Sequence, residues 1–408
     1  MLDAIDLLRE RGFVQDVSDE MGLREAFASG PVTFYWGTDP TASSLTAGHL
    51  VSLMLLAHLQ RAGHRPIVVV GGGTGLIGDP TGKTEMRQML SEADIEVNLA
   101  GQRSQVARYL DFNEGKALML NNADWLRPLG YLEFLRDVGR HFSVNQLLQH
   151  STYRERLDTG LNFIELNYAL LQAYDFLHLF REHGCSLQVG GNDQWFNILA
   201  GVDLIRRVAS GEAYALVTPL LTTSTGEKMG KTAGNAVWLD PLRTSPYDFY
   251  QYWINIPDLD VERFLGFFTF LPMDDVRRLG GLEGAESRTA KEVLAYEATR
   301  ITHGDKAAVE ARDASRALFG AGGDVEGAPT TTTPKSRLQG GLDLADLLVE
   351  TGLAQSKRAA RDLIRQGGAY VNGRRAEPGA EMRLDDLEDG ALLLRAGKKH
   401  YHRVIVEG

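Results

Sequence analysis

Val32-Thr-Phe-Tyr-Trp36, a turn through Asp39-Pro40, a helix-like run from Leu50 to Arg61 and then Ile67-Val-Val-Val70 follow one another along the chain. A β-branched and aromatic run, a helical period and a second apolar run, in that order, are the pattern of a βαβ unit with two parallel strands. The expected class is therefore α/β. In open parallel sheets ligands bind outside the carboxyl ends of the strands, so the loops after Trp36 and Val70 are the first places to search.

The 408 residues, at roughly 150 per domain, give two or three domains. Hydrophobic residues at 43% and charged residues at 24% exclude extended disorder and fibrous repeats. The longest apolar run, near Leu50 to Leu59, is broken by Ser52 and His58 and falls far short of the roughly 20 residues of a membrane span. The first residues do not read as a secretion signal, and a single cysteine, Cys185, suits a reducing compartment, so a cytoplasmic place is expected. The net charge of −11 argues against coating nucleic acid by bulk electrostatics. That charge is unevenly spread, because residues 341–408 carry 11 basic and 11 acidic side chains and are neutral. Residues 322–340, with two prolines bracketing four threonines and almost nothing apolar, read as a linker.

Gly73, Gly75 and Gly78 match the G-x-G-x-x-G of dinucleotide cradles, but Asp79-Pro80 follows at once, where a helix should open. Gly78 to Thr84 resembles a phosphate loop with glycines one residue too close, and Lys83 and Arg87 add two cations beside it. A plain glycine turn fits the same residues. Upstream, Thr46-Ala-Gly48-His49 stands where a helix begins, a place that favours anions. Downstream, Gly226-Glu-Lys228-Met-Gly-Lys231-Thr232 sets two lysines in a glycine-containing loop. Glu165, Tyr168, Gln172 and Asp175 share one face of a helix whose other faces are apolar, so that polar stripe is expected to line a buried pocket.

The two loops together resemble the paired signatures of class I aminoacyl-tRNA synthetases. Tyr35-x-Gly-x-Asp-Pro-Thr, Gly78-Asp-Pro-Thr-Gly-Lys, Leu171-Gln-Ala-Tyr-Asp-Phe, Gln188-Val-Gly-Gly-Asn-Asp-Gln-Trp and Ser245-Pro-Tyr-x-Phe-Tyr-Gln extend that resemblance to bacterial tyrosyl-tRNA synthetases over essentially the whole chain. The resemblance implies a Rossmann-like catalytic domain at 1–220, a signature lysine loop with a helical domain at 221–321, the linker, and a small α+β RNA-binding domain at 341–408. It implies activation of L-tyrosine by ATP, with Mg2+ bound to the ATP and no metal site of the protein's own, followed by transfer to tRNA(Tyr). It also implies a homodimer.

Residue by residue, Tyr35 and Asp175 would meet the substrate phenol, and Asp79, Tyr168 and Gln172 its ammonium group. Gln194 would serve tyrosine and adenylate alike. Gly37, Asp39, Thr41, Thr46, Gly48, His49, Gly191 and Asp193 would hold ATP or the adenylate. Lys83, Arg87, Lys228, Lys231 and Thr232 would embrace the leaving pyrophosphate. Three positions depart from the family pattern: Thr46 replaces the first signature histidine, Trp36 a small residue, and Phe196 a glycine.

In the tail, two short helices precede Asn372-Gly373, a hairpin turn signal. Lys357, Arg358, Arg361 and Arg365 crowd the second helix, either as a solvated face or, by resemblance to a ribosomal-protein RNA-binding module, as a grip on tRNA phosphates. Two rival readings are an NAD-dependent dehydrogenase built on the glycine turn and a non-catalytic RNA-binding protein.

Overall fold

A computed structural model of the chain describes residues 3–78, 91–149, 153–154, 157, 160–220, 222–224, 231–232, 235–319, 329–388, 390–397 and 400–407. Two compact units divide it, one of Met1–Thr244 with Tyr252–Thr302, the other of Ser245–Gln251 with His303–Gly408.

The first unit is built on six strands: β1 (Asp16–Val17), β2 (Thr33–Thr38), β3 (Arg65–Val70), β4 (Leu118–Asn121), β5 (Cys185–Gly191) and β6 (Tyr214–Thr218). Their order across the sheet is β1-β6-β5-β2-β3-β4, and only the short edge strand β1 is antiparallel. The chain leaves β2 toward β3 and β4, then returns to place β5 on the other side. The switch point therefore falls at the carboxyl ends of β2 and β5, where such sheets bind ligands. From Pro66 onward every residue of β3 is buried, as an all-apolar strand covered on both faces must be.

Three helices position the site. Helix α1 (Leu50–Arg61) is apolar nearly all round and buries nine residues, so it packs as an internal element. Helix α2 (Phe163–His183) starts with Asn162 and Glu165 bonding reciprocally and stops at Gly184, whose φ of 61° is the left-handed cap glycine adopts without strain. Helix α3 (Trp195–Ala209) lies against it, and Gly201 makes the approach possible: a Cβ there would stand 2.9 Å from Phe176 Cδ1. Beyond the sheet, β7 (Lys231–Thr232) pairs with β8 (Asn235–Ala236).

The second unit ends in a five-stranded sheet ordered Arg374–Arg375, Ala369–Val371, Ala391–Ala396, His400–Glu407, Thr330–Pro334. Its core is its own, with Leu338, Leu344, Leu348, Ile364, Leu392 and Val404 buried together. Asn372 (φ 48°) and Gly373 (φ 77°) form the expected tight hairpin turn. The stretch read as a linker differs from 330 on: Thr330–Pro334 pairs in parallel with residues 403–407, and Lys335–Gln339 is helical. Four β-branched threonines suit an extended edge strand as well as they suit a linker, and only the partner strand decides between the two. Helix α4 (Lys357–Arg365) buries Ala360 and Ile364 and exposes all four basic residues.

Candidate active site

A cleft of about 470 Å³ opens at the switch point. The end of β2 and the loop after it supply Tyr35, Gly37, Asp39 and Thr41, then Thr46, Gly48 and His49. Tyr168, Gln172 and Asp175 reach it from α2, and Gly191, Asp193 and Gln194 from the end of β5. Asp79, Lys83, Arg87 and Lys228 lie outside the described residues; Lys231 and Thr232 are placed in β7, whose partner β8 brings Ala236 to the cleft wall.

The floor of the cleft is a connected polar network. Asp175, 4% exposed, accepts one hydrogen bond from Asn122 Nδ2 at 2.9 Å and one from Trp125 Nε1 at 2.7 Å. Asn122 also donates to Thr74 Oγ1 at 3.0 Å, and Thr74 donates to Asp39 Oδ1 at 3.0 Å. The other oxygen of Asp39 accepts from the Tyr168 hydroxyl at 3.1 Å. Burial pushes the Asp175 carboxyl up to about 7, with the Asp39 charge adding to the rise, while the bonds from Asn122 and Trp125 hold it down. Burial, and then the Asp175 charge, push the Tyr35 phenol well above its ordinary value, so it stays an O–H donor. That hydroxyl is fully buried and makes no hydrogen bond. Such a donor is costly to leave unmade and marks where a ligand oxygen belongs.

The glycine turn after β3 serves this network. Thr74–Leu76 is a single tight 3-10 turn, and the stretch from Asp79-Pro80 on, where a dinucleotide cradle would carry its helix, lies outside the described residues. Gly71 passes so close that a Cβ would collide with the Asp39 carboxylate and the Thr74 hydroxyl, and the Gly73 amide donates to Asn122 Oδ1 at 2.8 Å.

One member of the polar stripe on α2 does not join the cleft. Glu165 is buried but accepts from the Asn162 amide at 3.1 Å, and so caps its own helix. Conversely, Asn122, Trp125, Thr74 and Gln188 belong to the site and were not singled out from the sequence. Gln188, in register with Tyr35 across β5 and β2, lines the cleft with its buried Oε1 unpartnered. The available signal was position, since Asn121-Asn122 ends a parallel strand on the ligand side of the sheet. On α4, Lys357 pairs with Asp346 at 2.8 Å, Arg365 with Asp362 at 3.2 Å and Arg361 with Asp343 at 3.7 Å. Exposed pairs of this kind are weak enough to exchange for phosphate.

An open parallel sheet with a polar cleft at its switch point, entered by the loop of Gly48 and His49, is the catalytic architecture of a class I synthetase. The family model of class I tRNA synthetases (W and Y) matches residues 28–320, and that of the tyrosine--tRNA ligase SYY-like C-terminal domain matches 324–404. The tyrosine--tRNA ligase of Clostridium beijerinckii is 50% identical over the full length of both chains, and that of Desulfosudis oleivorans 52% over 99% of each. Among solved structures, a C-terminally truncated mitochondrial tyrosyl-tRNA synthetase of Aspergillus nidulans superposes with a TM-score of 0.71 at 31% identity, covering 78% of this chain and 95% of that one. The chain belongs to the tyrosine--tRNA ligase family.

Proposed function

We propose that this cleft joins L-tyrosine to ATP as tyrosyl-adenylate, releasing pyrophosphate, and that the tyrosyl group then passes to the 3′ end of tRNA(Tyr). The observation that carries the reading is the pairing of an unbonded buried donor, the Tyr35 hydroxyl, with the buried acceptor Asp175. A phenol is the group that satisfies both, accepting from Tyr35 and donating to Asp175. Each carboxylate oxygen can accept more than one hydrogen bond, so Asn122 and Trp125 do not exhaust Asp175. Phenylalanine would leave the Tyr35 hydroxyl unbonded and the remaining acceptor sites of Asp175 unfilled, and is rejected for that reason.

We assign the substrate ammonium group to Tyr168, Gln172 and Asp79, and the adenylate to Gly37, Asp39, Thr41, Gly48, His49, Gly191, Asp193 and Gln194. Lys83, Arg87, Lys228, Lys231 and Thr232 are assigned to the pyrophosphate, whose departing charge wants fixed cations. The carboxylate of tyrosine attacks the α-phosphate, so the protein needs to position and neutralise and need not form a covalent bond. Among the described residues no cluster of three or more acidic, histidine or cysteine side chains could hold a metal ion. We assign magnesium to phosphate oxygens and water, with Asp39 and Asp193 the carboxylates at hand in the cleft. Bound there, the ion would offset phosphate charge.

Among the described residues no helix is long and apolar enough to cross a membrane. We place the reaction in the cytoplasm, where the buried thiol Cys185 stays reduced. We also propose a homodimer that covers Tyr131, Leu132 and Phe163, exposed at 60%, 73% and 65%, which sedimentation of a Leu132→Glu variant tests by its expected shift to monomer. Exchange of pyrophosphate into ATP, run with each of the 20 amino acids, tests the chemistry. Tyrosine alone should support it; exchange with a different amino acid, or with none, refutes the reading.

A further inference from the structure

Thr46 stands in the cleft wall beside His49, and its contacts set the chemistry of that imidazole. The Thr46 backbone N–H lies 3.1 Å from His49 Nδ1, and the Thr46 hydroxyl lies 3.0 Å from the same nitrogen. A backbone N–H can only donate, so Nδ1 must present its lone pair and the proton of the neutral ring must sit on Nε2. With Nδ1 accepting, the hydroxyl also donates to it, and one lone pair is shared by two donors. Protonating Nδ1 would set donor against donor at this short range.

The mount is firm. Thr46 forms a β-bridge with Trp238, flanked by Ala47 N donating to Val237 O at 2.8 Å and Leu239 N donating to Leu45 O at 2.9 Å. The Trp36 ring meets the His49 ring edge-on, with centroids 6.5 Å apart and planes at 70°, so the imidazole is held on a second side. We infer that Thr46 is a positioning residue acting through His49: it locks the ring as the Nε2–H tautomer, so that the nucleotide meets a neutral imidazole donor of fixed direction. A hydroxyl whose one proton is committed to Nδ1 keeps only acceptor capacity, which an anionic phosphate oxygen does not want. Direct contact between Thr46 and the triphosphate, the expectation raised by its place in the signature, is therefore replaced by contact at one remove.

This rests on the reading that ATP binds beside His49, and the test separates the two. Single-turnover adenylate formation is measured on the full-length enzyme for Thr46→Val, Thr46→Ser, His49→Ala and the double variant Thr46→Val with His49→Ala. Thr46→Val should slow the step about tenfold with unchanged tyrosine affinity, and Thr46→Ser should recover most of it. In the His49→Ala background Thr46→Val should add less than about twofold, because its only route is gone. An undiminished loss in that background would put Thr46 on the triphosphate itself, and no loss in the parent would make it a helix cap; either outcome overturns the inference. Nitrogen-15 spectra of the histidine side chains, with His49 assigned by its disappearance in His49→Ala, read the tautomer without any reaction. Nδ1 should be unprotonated in the parent, in Thr46→Ser and in Thr46→Val, because all three keep the backbone N–H that donates to it. A protonated Nδ1 in the parent refutes the inference, whereas absence of tyrosine activation with the expected tautomer refutes only the reading of the cleft.

Discussion

Asp175 joins two demands that pull in opposite directions. An acid whose value rises in the folded state keeps its proton after the unfolded chain has lost it. Folding stability from this group is therefore greatest at low pH and falls as pH climbs from the ordinary carboxylate range to about 7. Recognition wants the other form, since only the ionised carboxylate is a pure acceptor for a phenol. The kcat/KM for tyrosine activation should accordingly rise through a midpoint at about 7, while phenylalanine, which has no hydroxyl to donate, should show no such step. Trp125→Phe removes the 2.7 Å donor that helps hold the carboxyl down, and should move the midpoint upward. A tyrosine kcat/KM flat between about pH 6 and 8 would remove Asp175 from the phenol. Tyr35 shows why the neighbouring phenol cannot share the titration, because burial and the Asp175 charge keep it protonated throughout.

Between elements, the contact of α2 with α3 transmits packing to specificity. Gly201 on α3 admits Phe176 of α2, whose ring lies 5.3 Å from the Tyr35 ring. Gly201→Val has no space on that side, so Phe176 must turn toward Tyr35 or the helices must part. We expect a loss of about 1–3 kcal/mol in unfolding free energy, the usual cost of overpacking a dense core. Tyrosine KM should rise with it, because the displaced ring tilts the Tyr35 hydroxyl, while KM for ATP stays close to the parent value. Denaturant unfolding and steady-state kinetics on the same variant check both. Unchanged tyrosine KM in a destabilised protein would confine Gly201 to packing.

At the scale of the whole chain, the point of truncation matters. A chain ending at 340 would keep Thr330–Pro334 without residues 403–407, leaving an unpaired strand edge open to association. A chain ending at 323 would remove strand, helix and core together. We expect that shorter chain to keep pyrophosphate exchange within about threefold and to lose tRNA charging, since the basic helix α4 goes with the removed part. Exchange and charging measured side by side decide it, and loss of both in a folded 1–323 chain would refute separate roles for the two parts.

The sequence alone determined what neighbours along the chain can determine. β-branched and aromatic runs at 32–36 and 67–70 had to be strands, Asn372-Gly373 had to turn, and the spacing of Tyr168, Gln172 and Asp175 had to put them on one helical face, because backbone sterics and side-chain direction act over a few residues. The same locality explains what it left open. Glu165 sits in the stripe by period yet spends its carboxylate on the helix start, and four threonines read as linker until a strand more than seventy residues later pairs with them. Asn122 donates to Asp175 from 53 positions away, and Asp39 meets Thr74 across 35. Those partners are fixed by which strands lie side by side in the sheet, and that order is settled by burying both of its faces at once. Tertiary structure therefore decided the polar network beneath the substrate.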